Sequence, residues 1–171
     1  MTGPPESMEA GENSVRPPEG TEADENSVRS SESTEAAENS VIDESLIMKL
    51  MRAFYARVRV DPLIGPIFNA RIREWEPHLV RIGDFWSAVM LRSGRYQGQP
   101  MRLHLPLPID ATHFDRWLEL FETTAREVCS AAIAEQFIQR ARTIGRSLEM
   151  GVAAANGVML PLGERYIRKS A

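Results

Sequence analysis

Prolines at 62, 66, 77, 100, 106 and 108, with glycines at 65, 94 and 98, cut the middle of this chain into segments of fixed length. Proline removes a backbone donor and disfavours helical geometry in the residue before it, so these positions mark where helices end or begin. Between them the apolar residues recur at helical spacing. Leu46, Ile47, Leu50, Met51, Phe54, Tyr55 and Val58 predict a helix that starts at Asp43-Glu44-Ser45 and stops before Asp61-Pro62. Leu63 to Phe68 is too broken for a long element and reads as a short turn and a corner. A second long helix is expected from near Pro77, with Leu79, Ile82, Trp86, Val89 and Met90 on its apolar face and His78 on the same side. Ser93 to Pro100 reads as a loop, and Met101 to Leu105 has room for little more than one helical turn. Asp110 can cap a third helix carrying Phe114, Trp117, Leu118, Phe121, Ala125 and Val128. The fourth carries Ile133, Phe137, Ala141, Ile144 and Leu148, with Gly151 as its expected stop. No strand pattern competes. The fold class is all-α, in one domain over residues 42–150.

The flanks are of another kind. The 171 residues have a formal net charge of −4, but residues 1–45 carry −10 and the rest +6. Glu-Asn-Ser-Val recurs at 12–15, 25–28 and 38–41, a period of 13 residues. Each unit offers one valine to bury, which cannot offset the entropy of ordering it, so residues 1–41 are expected to be a disordered acidic tail. Residues 151–171 show no clear period and are expected to be a loose C-terminal tail. The arginines of the body are spread along helical patterns and never form a run, which favours solvated helix faces over a nucleic-acid surface. The single cysteine, Cys129, lies in an apolar helical stretch and reads as a small buried hydrophobe. There is no run of 18 apolar residues and no secretory signal, so the expectation is a cytoplasmic protein with no membrane partner.

Few residues are equipped for chemistry. There are three histidines, at 78, 104 and 113. No group of His, Cys, Asp and Glu has zinc spacing, no glycine loop fits phosphate, and no nucleophile elbow is present. What remains is an apolar helical shell with four inward polar groups: Tyr55, His78, His104 and Trp117. Such a shell suits a mostly apolar ligand carrying one metal. His104 sits on a short turn between Leu103 and Leu105 with prolines on both sides, a rigid apolar mount for an iron-binding imidazole. Its setting alone also fits a partly buried loop histidine. Tyr55 and Trp117 read equally as core aromatics with a satisfied polar end. His113 reads as a partly exposed helix-start residue.

Several segments together resemble the group III truncated haemoglobins. They are Phe54-Tyr55-Ala56-Arg57-Val58-Arg59, Gly65-Pro66-Ile67-Phe68-Asn69, Trp75-Glu76-Pro77-His78 and Ile82-Gly83-Asp84-Phe85-Trp86, followed by Tyr96-Gln97-Gly98-Gln99-Pro100, His104-Leu105-Pro106-Leu107-Pro108 and Phe114 to Phe121. They occur in the family's order across about two-thirds of the chain. The resemblance implies a two-over-two helical sandwich around haem b, with His104 as the iron ligand. It casts Tyr55 and Trp117 as hydrogen-bond donors to a bound diatomic ligand, and His78 as a distal-side histidine that gates access or donates in turn. Ile82 and Phe68 would wall the pocket, Phe54 would pack beside it, and Arg81 would reach a haem propionate at its rim. The Phe68-to-Trp75 segment is short beside some members, and both tails lie outside the family core.

Three functions follow as expectations. The first is a haem protein binding O2 or NO. The second is an enzyme that processes O2, NO or peroxide; since the sequence shows no flavin or nicotinamide domain, it would need a separate reductase. The third is a haem-free helical module acting through its acidic tail. The sequence leaves the oligomeric state open.

Overall fold

The computed structural model describes residues 41–168. The acidic repeat expected to be disordered lies outside them. Among the described residues there are six helices and no strand: α1 Glu44–Val60, α2 Gly65–Arg71, α3 Trp75–Leu91, α4 Pro100–His104, α5 Ala111–Val128 and α6 Ala131–Ala155. The long helices make the expected two-over-two sandwich, with α1 packed on α3 and α5, and α5 on α6. None of these helices is long and apolar enough to cross a membrane.

Helix α1 begins where Asp43 accepts a hydrogen bond from the Leu46 backbone N–H at 2.8 Å, which satisfies a donor the helix cannot. Glu44 in its first turn, and Arg57 and Arg59 in its last, match the helix dipole. Its inner face is the expected one, with Leu46, Ile47, Leu50, Met51, Phe54, Tyr55 and Val58 all buried. Beyond Val60 the chain turns on Asp61, whose buried carboxylate accepts from the N–H groups of Leu63 and Ile64, each at 3.0 Å, and from Arg116 Nε at 2.7 Å. Gly65 then lets α2 close on the end of α1. A Cβ there would stand 2.9 Å from the Val58 carbonyl oxygen and 3.1 Å from that of Arg59, and neither backbone atom can give way.

Burial alone would raise the pKa of Asp61, but the Ile64 N–H, the Arg116 guanidinium and the Leu63 N–H outweigh it and hold the carboxyl below its ordinary value. A depressed carboxyl stabilises the fold above its unfolded pKa and loses that contribution as pH falls through the folded value. Asp61→Ala should therefore cost about 2 kcal/mol at pH 7, because three bonds to a charged acceptor go at once. Urea titrations of both proteins should show the gap closing as the pH falls below the ordinary carboxylate range.

Helix α3 starts at Trp75 and holds Pro77 in its first turn, as expected. One boundary differs from the sequence expectation. Helix α6 runs through Gly151 to Ala155. Gly151 serves there as a close-approach site: a Cβ would meet the Met101 sulfur at 2.2 Å and Leu105 Cδ2 at 3.6 Å. A larger correction concerns the C-terminal tail. Up to residue 168 it is not loose. Tyr166 is buried with Ile109, Phe114, Val152 and Ala153 in a second apolar cluster, against which Leu107, Leu148 and Leu160 also pack. Periodicity missed this because the segment is held by long-range polar bonds and a few separated apolar residues.

The main core centres on Phe54, Phe121 and Phe137, none of which is exposed. Cys129 is buried in it as expected, and burial pushes its thiol up to about 11 against the opposing effect of Lys49.

Candidate functional site

The sequence candidates on α1, α2, α3 and α5 converge in one group of rings. Phe54 stands edge-on to Tyr55, Trp117 and Phe121, with centroids 4.9, 5.6 and 5.2 Å away. Tyr55, which is buried, meets Phe68 at 5.9 Å, Trp75 at 6.0 Å and His78 at 5.5 Å. Trp117 stacks on Phe121 at 5.4 Å and 18°. Ile82, one turn after His78, packs half-buried against the same core. This convergence follows from the helical period: Phe54 and Tyr55 lie on the buried face of α1, and His78 and Ile82, four residues apart, share one side of α3.

The polar members are poised differently. Tyr55 is desolvated, and burial raises its phenol well above the ordinary value, so the hydroxyl keeps its proton. His78 has its Nε2 shielded from solvent without a hydrogen-bond partner. Burial, and then the positive charge of Arg81, push its pKa down and favour the neutral ring. Arg81 itself is exposed. A buried polar atom left unpaired costs about 1–3 kcal/mol, and this one has no partner among the described residues.

His104 stands apart from the rings, on the one-turn helix α4. Its Nδ1 lies 2.7 Å from the Pro100 carbonyl oxygen. A carbonyl only accepts, so the proton is on Nδ1 and Nε2 keeps its lone pair. Burial lowers the pKa of this ring, against the smaller opposing effect of the Pro100 bond. The result is a neutral imidazole with a fixed tautomer and one nitrogen free to bind a metal, as in ligating histidines whose other ring N–H donates to a backbone carbonyl.

Sequence reasoning missed Trp75 as a member of the site. It lies edge-on to His78 at 5.8 Å and carries the Arg59 guanidinium 4.8 Å from its ring centroid. The nearby Arg52–Glu76 ion pair ties α1 to the start of α3. The signal was present in the Trp-Glu-Pro-His segment, which served only as a marker of resemblance. His113 takes no part in the site. With Asp110 it forms a capping box at the start of α5, its Nδ1 2.8 Å from the Asp110 carboxylate. Among the described residues no cluster of three or more His, Cys, Asp or Glu side chains can hold a metal ion.

A short all-helical sandwich with Tyr55, His78 and Trp117 among its packed rings and His104 on a separate one-turn helix has the form of a shortened globin. The chain belongs to the bacterial-like globin family, whose pattern matches residues 41–145, and within it to the group III truncated haemoglobins. It is 41% identical over 108 residues to the group 3 truncated hemoglobin of Campylobacter jejuni, covering 60% of this chain and 85% of that protein. The crystal structure of group III truncated hemoglobin from Campylobacter jejuni superposes with a TM-score of 0.61 at 38% identity, over 64% of this chain and 91% of that one. The truncated oxygen-avid haemoglobin of Bacillus subtilis superposes with a TM-score of 0.56 at 26% identity, over 63% and 93% of the two chains. Globin membership carries haem binding with it.

Proposed function

We propose that this chain holds haem b through Nε2 of His104 and binds a diatomic ligand, O2 or NO, in a pocket whose donors are Tyr55 and Trp117. The observation that carries this reading is the His104 imidazole, with Nδ1 committed to Pro100 and Nε2 left as a ligand. The unpaired, shielded Nε2 of His78 supports it, since a distal partner would satisfy that atom. His104 would hold the haem, whose iron would supply the centre that takes up a diatomic molecule and places partial negative charge on it.

The protein's part is to meet that charge with fixed donors where water is excluded. Tyr55 offers a hydroxyl that burial keeps protonated, and Trp117 an indole N–H that can only donate. Phe68 and Ile82 would wall the pocket, Phe54 would pack beside it, and Arg81 would reach a propionate at its rim. Tyr55→Phe should raise the O2 dissociation rate ten- to about a hundredfold, the worth of one hydrogen bond of about 1.5–3 kcal/mol to a charged acceptor. Trp117→Phe should change the same rate severalfold. Stopped-flow displacement of O2 reads both, and unaltered rates would remove these two residues from the proposed roles.

One observation favours a second reading, turnover of O2, NO or peroxide. His78 is held neutral 5.5 Å from the Tyr55 ring with an unpaired nitrogen, so it can pass a proton to or from the pocket. Such an activity needs electrons from a separate reductase. Sustained turnover with an added reductase, lost in His78→Leu, would establish it; a single stoichiometric reaction would leave ligand binding as the function.

A further inference from the structure

The C-terminal segment lies outside the residues that match the family, yet it is bound to the connector that leaves His104. Its anchor is Glu149, a carboxylate on α6 with only 4% of its surface exposed. Burying a charge in a helix interior is costly unless it is paired and hydrogen-bonded. Here both oxygens of Glu149 accept from Arg165 Nε at 2.9 Å, and one accepts from the Tyr166 backbone N–H at 2.8 Å. Arg165 also reaches Asp115 at 2.7 Å, so it clamps α6 to α5. The Tyr166 carbonyl accepts from the Ala111 N–H at 2.7 Å, and the Arg168 N–H donates to Asp110 at 3.2 Å. The Tyr166 ring then buries itself against Ile109 and Phe114.

Two of these bonds, to Ala111 and Asp110, fall at the far end of a short connector, and the others fix the segment to α5 and α6 beside it. His104 ends α4, and only Leu105 to Asp110 separate it from α5. Pro106 and Pro108 stiffen that stretch, and the Leu107 N–H folds back on the His104 carbonyl at 3.0 Å. At the other end, Met101 and Leu105 rest against the bare backbone of Gly151. The connector is thus seated on α6 near His104 and clamped by the C-terminal segment at Ile109–Ala111. Release of the clamp would pass through a stiff link to the imidazole.

We infer that residues 157–168 form a strap that positions His104, with Glu149, Arg165 and Tyr166 as its positioning residues, and so sets the strength of the bond from His104 to iron. This rests on the proposed role of His104 as the ligand. None of the three residues need touch haem.

The test is resonance Raman spectroscopy of the ferrous, ligand-free holoprotein, reading the iron–histidine stretch, together with the rate of haem transfer to an apoprotein acceptor. Arg165→Gln opens the clamp at a half-exposed side chain without leaving a hole, and Tyr166→Ala releases the buried ring. Arg142→Gln is the control: it breaks another α5–α6 ion pair, with Glu122 at 2.8 Å, outside the strap. Circular dichroism confirms folding in each. The expected result is a shifted stretch and a severalfold faster haem loss in Arg165→Gln and Tyr166→Ala, with Arg142→Gln like wild type. A stretch unmoved by both strap variants overturns the strap, as does an equal shift in Arg142→Gln, since general destabilisation would then suffice. If the wild-type stretch is absent, or persists in His104→Ala, the assignment of the ligand fails first, and that outcome is distinct from failure of the strap.

Discussion

Phe121→Ala is expected to cost about 3–5 kcal/mol, the range for emptying a fully buried aromatic site. The ring has no exposed surface and lies flat between two indoles, 4.9 Å and 17° from Trp86 and 5.4 Å and 18° from Trp117, with Phe54 edge-on at 5.2 Å. Small domains are stable by only about 5–15 kcal/mol, so this single change removes a large share of the total. It also removes the surface on which Trp117 stacks, so the indole N–H assigned to the ligand loses its fixed direction. Equilibrium urea unfolding followed by circular dichroism measures the stability, and O2 dissociation from the surviving holoprotein measures the second effect. A loss below about 1 kcal/mol would mean that the site collapses without cost, contrary to close packing around Phe121.

The elements legible in the sequence were those that local chemistry specifies alone. Helix α1 is given by the Asp43 cap, seven apolar residues in register and the Asp61-Pro62 stop, and it spans Glu44–Val60. The brevity of α4 follows from Pro100 at its start and the prolines after His104. Where tertiary contact decides, the reading failed. Gly151 looked like a helix end, but the glycine is there because Met101 approaches α6 closely. The segment at Tyr166 looked loose because its order comes from a buried carboxylate sixteen to seventeen residues earlier, which no local pattern reveals. The same holds within the site. Helical spacing put Tyr55 and His78 on inner faces, yet the edge-on packing of Trp75 on His78 and the tautomer of His104 emerge only from the folded chain. The donor roles given to Tyr55 and Trp117 came from resemblance to the truncated haemoglobins, since residue type alone fitted a plain aromatic core.

His104→Ala has the largest expected effect on function. Removing a supporting group around a metal ligand costs about 10–100-fold in affinity, and removing the ligand itself should exceed that. The remaining candidate, His78, belongs to the ring cluster of α1 and α3 and not to α4, so it is not a substitute on the same mount. Added imidazole should restore part of the binding, because it supplies the missing nitrogen without the backbone bond from Pro100.

The central claim is that His104 binds haem iron, and it is tested most directly by the absorbance spectrum of the purified protein reconstituted with haemin, for wild type and His104→Ala. The account predicts a sharp Soret band at one haem per chain in the wild type, lost or displaced in the variant. An identical band in both proteins would contradict the assignment of His104, and no haem uptake by the wild type would leave the haem-free helical module as the better reading.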